Sequence, residues 1–154
     1  FFNLVGRSLD PLEVKARVEV LARSSVFGSV PASDLKVLAM MFERRNLADG
    51  EILCHAGDPA DCVFAVAEGV VDVLLPGAIA TVVERKVGDV VGEYGMFLSA
   101  RRSATLRARG PTSVLTLRYS HFRRFMLAFP ESMLALFELC VSRLHAGQST
   151  TPRG

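Results

Sequence analysis

Turn-forming residues punctuate the middle of this chain at short intervals, and that spacing limits what it can fold into. Asp49-Gly50, Gly57-Asp58-Pro59, Glu68-Gly69, Pro76-Gly77, Gly88-Asp89 and Gly110-Pro111 all fall between Arg44 and Arg118. The runs between them, such as Cys62-Val63-Phe64-Ala65-Val66, Val70-Val71-Asp72-Val73-Leu74-Leu75 and Thr81-Val82-Val83, are rich in β-branched and apolar residues. Short strands with frequent turns predict an antiparallel β-roll or jelly roll. Thr105-Leu106-Arg107-Ala108-Arg109 alternates, with Leu106 and Ala108 on one face, as a half-buried antiparallel strand does.

The flanks follow a helical period instead. Asp10 before Pro11, with Glu13 in the first turn and Val14, Val18 and Leu21 spaced behind it, predicts a helix ending near Arg23. Pro31 followed by Leu35, Leu38, Ala39 and Phe42 predicts a second, ending before Glu43-Arg44-Arg45. Phe122, Phe125, Met126 and Phe129 form one apolar stripe, Pro130 breaks it, and Met133, Phe137, Val141 and Leu144 form another, so two helices close the domain. The expected fold class is mainly β with flanking helices: an antiparallel roll with N-terminal helices and two C-terminal helices. The expected division is a linker or the tail of a preceding segment over 1–11, one domain over 12–146, and a C-terminal tail over 147–154. The chain opens on Phe1 rather than methionine, which is read as the mark of a piece of a longer polypeptide.

Composition narrows the classes of function. With 154 residues, 50% of them hydrophobic, there is enough chain for one well-packed core. A net charge of +2, with arginines spread along the sequence, argues against direct nucleic-acid binding, which needs clustered cations. Cys54, Cys62 and Cys140 include no C-x-x-C pair, which argues against a disulfide framework or a zinc site and fits a reducing, cytoplasmic setting. No apolar run approaches the roughly 20 residues of a membrane span, so the expectation is a cytosolic domain, whether or not it belongs to a larger membrane-associated protein.

The chemistry concentrates between Gly88 and Thr105. Gly92 and Gly95 remove side chains where a ligand approaches the backbone, and a short helical turn starting near Glu93 would aim free N–H groups at an anion. Arg102 offers a planar fork of donors for two phosphate oxygens, with Ser103 and Ala104 adding a hydroxyl and a backbone N–H. A carboxylate at Glu93 would repel phosphate, a conflict that disappears if it accepts from a sugar hydroxyl. The expected ligand therefore carries a phosphate and a free ribose hydroxyl close together.

The segment Gly92-Glu93-Tyr94-Gly95 through Arg102-Ser103-Ala104-Thr105 resembles the phosphate-binding cassette of the cyclic nucleotide-binding domain family, found in catabolite-activator-type regulators, cyclic-nucleotide-dependent kinases and cyclic-nucleotide-gated channels. Gly50-Glu51-Ile52-Leu53, Gly57-Asp58, Phe64-Ala65-Val66 and Glu68-Gly69 extend the resemblance upstream, so that it covers roughly residues 20–146. It implies that Glu93 takes the ribose 2′-hydroxyl, while Arg102 and the N–H groups around Tyr94, Gly95 and Ala104 hold the cyclic phosphate. It also implies that a residue of the last helix covers the base, and Arg143 is placed for that by its distance from Pro130. Ser103, where cGMP-preferring members often carry threonine, tips the expected ligand toward cAMP over cGMP. Tyr94-Gly95 in place of two aliphatic or small residues, and Arg101 in place of a common proline, depart from the family pattern.

The remaining features have plainer readings. The phenylalanine stripe reads as core, and Arg44-Arg45 and Arg123-Arg124 as solvated faces. His55, His121 and His145 share no metal spacing, and no catalytic triad, P-loop or carboxylate pair points to an enzyme. No metal and no further cofactor are expected. Two functions remain: an allosteric sensor in signal transduction, whose C-terminal helices move on cyclic nucleotide binding to control an output domain in the same longer chain or a partner protein, or a degenerate roll that binds no nucleotide and docks a partner. A homo-oligomer is compatible with either.

Overall fold

The computed structural model describes residues 9–77, 81–93 and 101–146, without the side chains of Thr81 and of residues 143–146. Helix α1 spans Pro11–Arg23 and opens as the sequence predicts: Pro11 occupies the first turn and the Asp10 carboxylate accepts from the Leu12 N–H at 2.8 Å. A short 3₁₀ turn, Phe27–Ser29, leads to α2, Ala32–Met41. The carbonyls at the end of α2 are met by a buried cation, because Arg17 of α1 donates to Ala39 O at 3.3 Å and Phe42 O at 2.7 Å.

Six strands follow among the described residues: β1 Glu43–Leu47, β2 Ile52–Cys54, β3 Cys62–Leu75, β4 Thr81–Arg85, β5 Val90–Val91 and β6 Thr105–Arg118. All pairings are antiparallel, in the order β1-β6-β3-β4, with β2 also on β6 and β5 also on β3. The two long strands β3 and β6 are the spine, and each takes a different partner at each end. This is the expected β-roll.

Two expected turns are bends within these strands. Glu68-Gly69 lies inside β3 and Gly110-Pro111 inside β6, with Gly69 at φ 80° and Gly110 at φ 70°. The β3–β6 register shifts on either side of Glu68, so each strand bulges where it faces the other. Both glycines use the left-handed conformation that a turn would need, yet the chain continues rather than reverses.

Alternate residues of β3 and β6 enter two cores. Val63, Ala65, Leu115 and Leu117 face the helices, packing with Leu21, Phe27, Leu38, Phe42, Phe122, Phe125 and Leu136. Phe64, Val66, Val114, Leu106 and Ala108 fill the inside of the roll. Burial on both faces explains why 62–66 reads as an unbroken apolar run rather than an alternation. Phe27 meets Phe42 and Phe122 edge-on, each with centroids 5.8 Å apart, a geometry worth about 1 kcal/mol per pair beyond simple burial.

Two helices close the described part of the chain, α3 Tyr119–Ala128 and α4 Pro130–Ala146. The stripe on α3 is core as expected, with Phe122, Phe125 and Met126 buried. That on α4 is not: Met133, Phe137 and Val141 face outward at 39%, 52% and 37% exposure, while Ser132, Leu136 and Cys140 form the inner face. Ser132 decides this orientation by donating to Asp34 Oδ2 of α2 at 2.8 Å. Arg44 is likewise no solvated face, since its Nε and Nη2 donate to the Glu13 carboxylate of α1 while Nη1 donates to Ser113 Oγ at 2.7 Å. Leu144 lies outside the described side chains.

Candidate functional site

Strand β5 delivers the first half of the site. Val91 pairs with Phe64 of β3, and Gly92 follows at φ 91°, a left-handed conformation that glycine alone adopts without strain. The chain turns there, and Glu93 is buried at 7% exposure. Tyr94 and Gly95 lie outside the described residues.

The second half arrives from the approach to β6. The backbone of Arg102 is fixed by the 57–59 loop: its N–H donates to Asp58 O and its carbonyl accepts from Gly57 N, both at 2.8 Å. Arg101 bridges to Pro59, and its side chain donates to Gly57 O at 3.0 Å, so the residue standing where a proline is common ties this loop down. Ser103 is exposed and Ala104 is fully buried inside the roll. Arg143 belongs to α4, its side chain being outside those described.

Arg102 itself is 4% exposed. Its Nη2 donates to the Cys62 carbonyl at 2.6 Å and lies 3.5 Å from the Cys62 thiol, while the guanidinium sits 4.8 Å from the centroid of the Phe64 ring. Nη1 is buried and finds no hydrogen-bond partner among the described residues. The fork is therefore not free as a unit, as the sequence reading had it: one arm is held by β3, and the other is buried without a hydrogen-bond partner among the described residues. Nη1 lies directly against Cα of Gly92, where a Cβ would collide with it. Glycine at 92 and arginine at 102 thus meet in space, with Glu93 next in the chain.

Sequence reasoning missed Tyr119. This first residue of α3 is buried, and its hydroxyl donates to the Gly92 carbonyl. Burial raises its phenol to about 12, against the lowering effect of the Arg102 charge and with Cys62 and Glu93 adding to the rise. The hydroxyl is a donor at any physiological pH. The signal was present in the sequence: Tyr119 extends the Phe122, Phe125 and Phe129 stripe backwards by three residues, and a phenol on a buried stripe needs a polar partner.

Cys62 is also raised to about 12 by burial, outweighing the neighbouring guanidinium, and Cys54 is raised for the same reason. Neither thiol is an activated nucleophile. Among the described residues, no group of three His, Cys, Asp or Glu side chains is placed to hold a metal. No helix among them is long and apolar enough to cross a membrane.

The fold is an antiparallel β-roll on two bulged spine strands, with a buried arginine packed against a left-handed glycine and a buried glutamate next in the chain. Residues 44–129 match the family model described as the cyclic nucleotide-binding domain, and the chain belongs to that family, which is regulatory rather than catalytic. It is 28% identical over 113 residues to a cyclic nucleotide-gated potassium channel of Mesorhizobium japonicum, covering 73% of this chain and 31% of the channel. A cAMP-dependent protein kinase regulatory subunit of Dictyostelium discoideum is 30% identical over 112 residues, covering 69% of this chain and 34% of that one. The chain thus spans about a third of the length of these relatives. Among solved structures, the N-terminal domain of a transcriptional regulator from Streptomyces coelicolor superposes with a TM-score of 0.77 at 25% identity, covering 88% of this chain and 99% of that one.

Proposed function

We propose that this domain is a cAMP sensor: cyclic nucleotide enters beside Arg102 and Glu93, and the C-terminal helices pass its presence to an output domain elsewhere in a longer chain or in a partner. The observation that carries this reading is the buried arm of Arg102 that lacks a hydrogen-bond partner among the described residues. A buried guanidinium nitrogen without an acceptor costs about 1–3 kcal/mol, and an anion arriving at Nη1 removes that cost. A cyclic phosphate is an anion of the right size, and it brings a ribose hydroxyl within reach of the neighbouring Glu93 carboxylate.

In this reading the backbone N–H groups after Glu93, through Tyr94 and Gly95, cradle the phosphate, together with the Ala104 N–H and the Ser103 hydroxyl. Arg143 on α4 covers the base. The choice of cAMP rests on Ser103 and on relatives whose names carry that nucleotide, including the kinase regulatory subunit at 30% identity. Ligand shifts the helices only by binding one arrangement better than the other, so the contacts at Nη1 and Glu93 must differ between the two states.

Titration with a fluorescent cyclic nucleotide tests this. Saturable binding is expected, displaced by cAMP at lower concentration than by cGMP and lost in Arg102→Ala while circular dichroism stays unchanged. Absence of binding at millimolar nucleotide overturns the reading in favour of a docking module.

A further inference from the structure

The geometry points to Tyr119 as a positioning residue that sets the orientation of the Gly92–Glu93 peptide and carries the state of the Arg102 pocket into helix α3. This rests on the sensor reading and names the part through which it would work.

Five residues close a ring. Arg102 donates to the Cys62 carbonyl; the preceding carbonyl, Asp61 O, accepts from the Tyr119 N–H at 2.9 Å; the Tyr119 hydroxyl donates to the Gly92 carbonyl; and Gly92 Cα lies against Arg102 Nη1. The backbone and the side chain of Tyr119 are thus tied to opposite sides of the site, one to the base of β3 and the other to the end of β5. The residue is also the first of α3, so any change in its hydrogen bonds reaches the helix with no intervening loop.

The Gly92 carbonyl and the Glu93 N–H belong to one planar trans peptide and point in opposite directions. Holding the carbonyl at Tyr119 therefore fixes where the first N–H of the phosphate turn is aimed. A ligand that rotates this peptide to recruit the N–H must pull the carbonyl from the phenol, and a ligand that accepts the peptide as it stands tightens the grip. In both cases α3 receives the change through Tyr119. Phe122, Phe125 and Met126 of α3 share the same core as Tyr119, so the helix moves with it as a packed body.

The test is amide hydrogen exchange over residues 119–128 with and without saturating cAMP, in the unsubstituted chain and in Tyr119→Phe. The unsubstituted chain is expected to change its exchange in α3 on binding. Tyr119→Phe is expected to bind within about tenfold of the same affinity, as fits loss of one hydrogen bond, while its α3 response falls by more than half. An unaltered α3 response in a binding-competent Tyr119→Phe overturns the inference alone; absence of binding by the unsubstituted chain overturns the sensor reading and this inference together. A second measurement needs no substitution at 119. The chain has two tyrosines and no tryptophan, so in Tyr94→Phe the tyrosine fluorescence emission spectrum reports Tyr119 alone. Saturating cAMP is expected to perturb it, and an unchanged spectrum at saturation overturns the inference.

Discussion

Gly92 and Arg102 occupy one shared space: a Cβ on Gly92 would collide with Nη1 of Arg102 and stand 3.1 Å from the Cys62 carbonyl oxygen. The guanidinium can be buried there only because residue 92 has no side chain. The same absence permits the left-handed φ of 91° that turns the chain toward Glu93.

Gly92→Ala is therefore expected to act twice. The left-handed backbone costs an alanine about 1–2 kcal/mol, a loss visible as a lower urea midpoint. The flexible end of Arg102 yields to the new methyl and leaves the Cys62 carbonyl, which displaces the donor proposed for the phosphate. Cyclic nucleotide affinity measured by calorimetry is expected to fall at least about tenfold; unchanged affinity would mean that Nη1 does not serve the ligand.

Gly69, in the β3 bulge, and Gly50, in the turn between β1 and β2, separate collision from strain. Gly69, at φ 80°, has Pro111 O at 2.6 Å and the Thr112 hydroxyl at 2.8 Å from a Cβ built on it, and the first of these is backbone. Gly50, at φ 79°, has nothing within 4 Å. Gly69→Ala is expected to cost about 3 kcal/mol and Gly50→Ala about 1 kcal/mol by denaturant unfolding. Equal losses would show that the facing bulges of β3 and β6 separate freely.

The same bulges mark where the sequence stops being legible. Local signals served well where a feature is made locally: the Asp10-Pro11 cap, the break at Pro130, the alternation at Leu106 and Ala108. The family resemblance drawn from the spacing of Glu93 and Arg102 holds for the domain as a whole. A left-handed glycine at 69 or 110 reads the same in a turn and in a bulge, however, and only the long-range pairing of β3 with β6 distinguishes them. Two stripes of α4 also share one helical period, offset by one residue, and the Ser132–Asp34 hydrogen bond across 98 residues of chain selects the inner one. Arg44 appeared solvated because its partner, Glu13, lies 31 positions away.

That Arg44–Glu13 pair predicts an acid-sensitive term in stability. Burial pushes the Glu13 carboxyl up, but the hydrogen bonds and charge of Arg44, with Arg17 adding to them, outweigh it and hold the group below its ordinary 4.5. A carboxylate depressed in the folded state contributes stability that is fully present above its unfolded value and lost as pH falls through the folded one. Urea midpoints taken from pH 6 down to pH 3 are expected to drop less steeply in Glu13→Gln than in the unsubstituted chain. The variant is also expected to be less stable by about 1 kcal/mol at pH 7, the pair being only partly buried. Parallel pH profiles would assign the acid loss to other carboxylates.

Glu93 offers the sharpest division between a ligand group and a structural one. Glu93 is buried, and the partner proposed for its carboxylate on the ligand is the ribose 2′-hydroxyl. Glu93→Gln keeps the size of the side chain and weakens the acceptor, so it is expected to lower affinity for cAMP about tenfold or more, the scale of a hydrogen bond to a charged group. The 2′-deoxy nucleotide should bind the unsubstituted chain weakly, and Glu93→Gln should weaken it little further, because the interaction is already gone. Measured as a double-mutant cycle by calorimetry, the two changes are then strongly non-additive. Additive losses would mean that Glu93 supports the turn after Gly92 without touching the sugar, and the carboxylate would join Tyr119 as a positioning group.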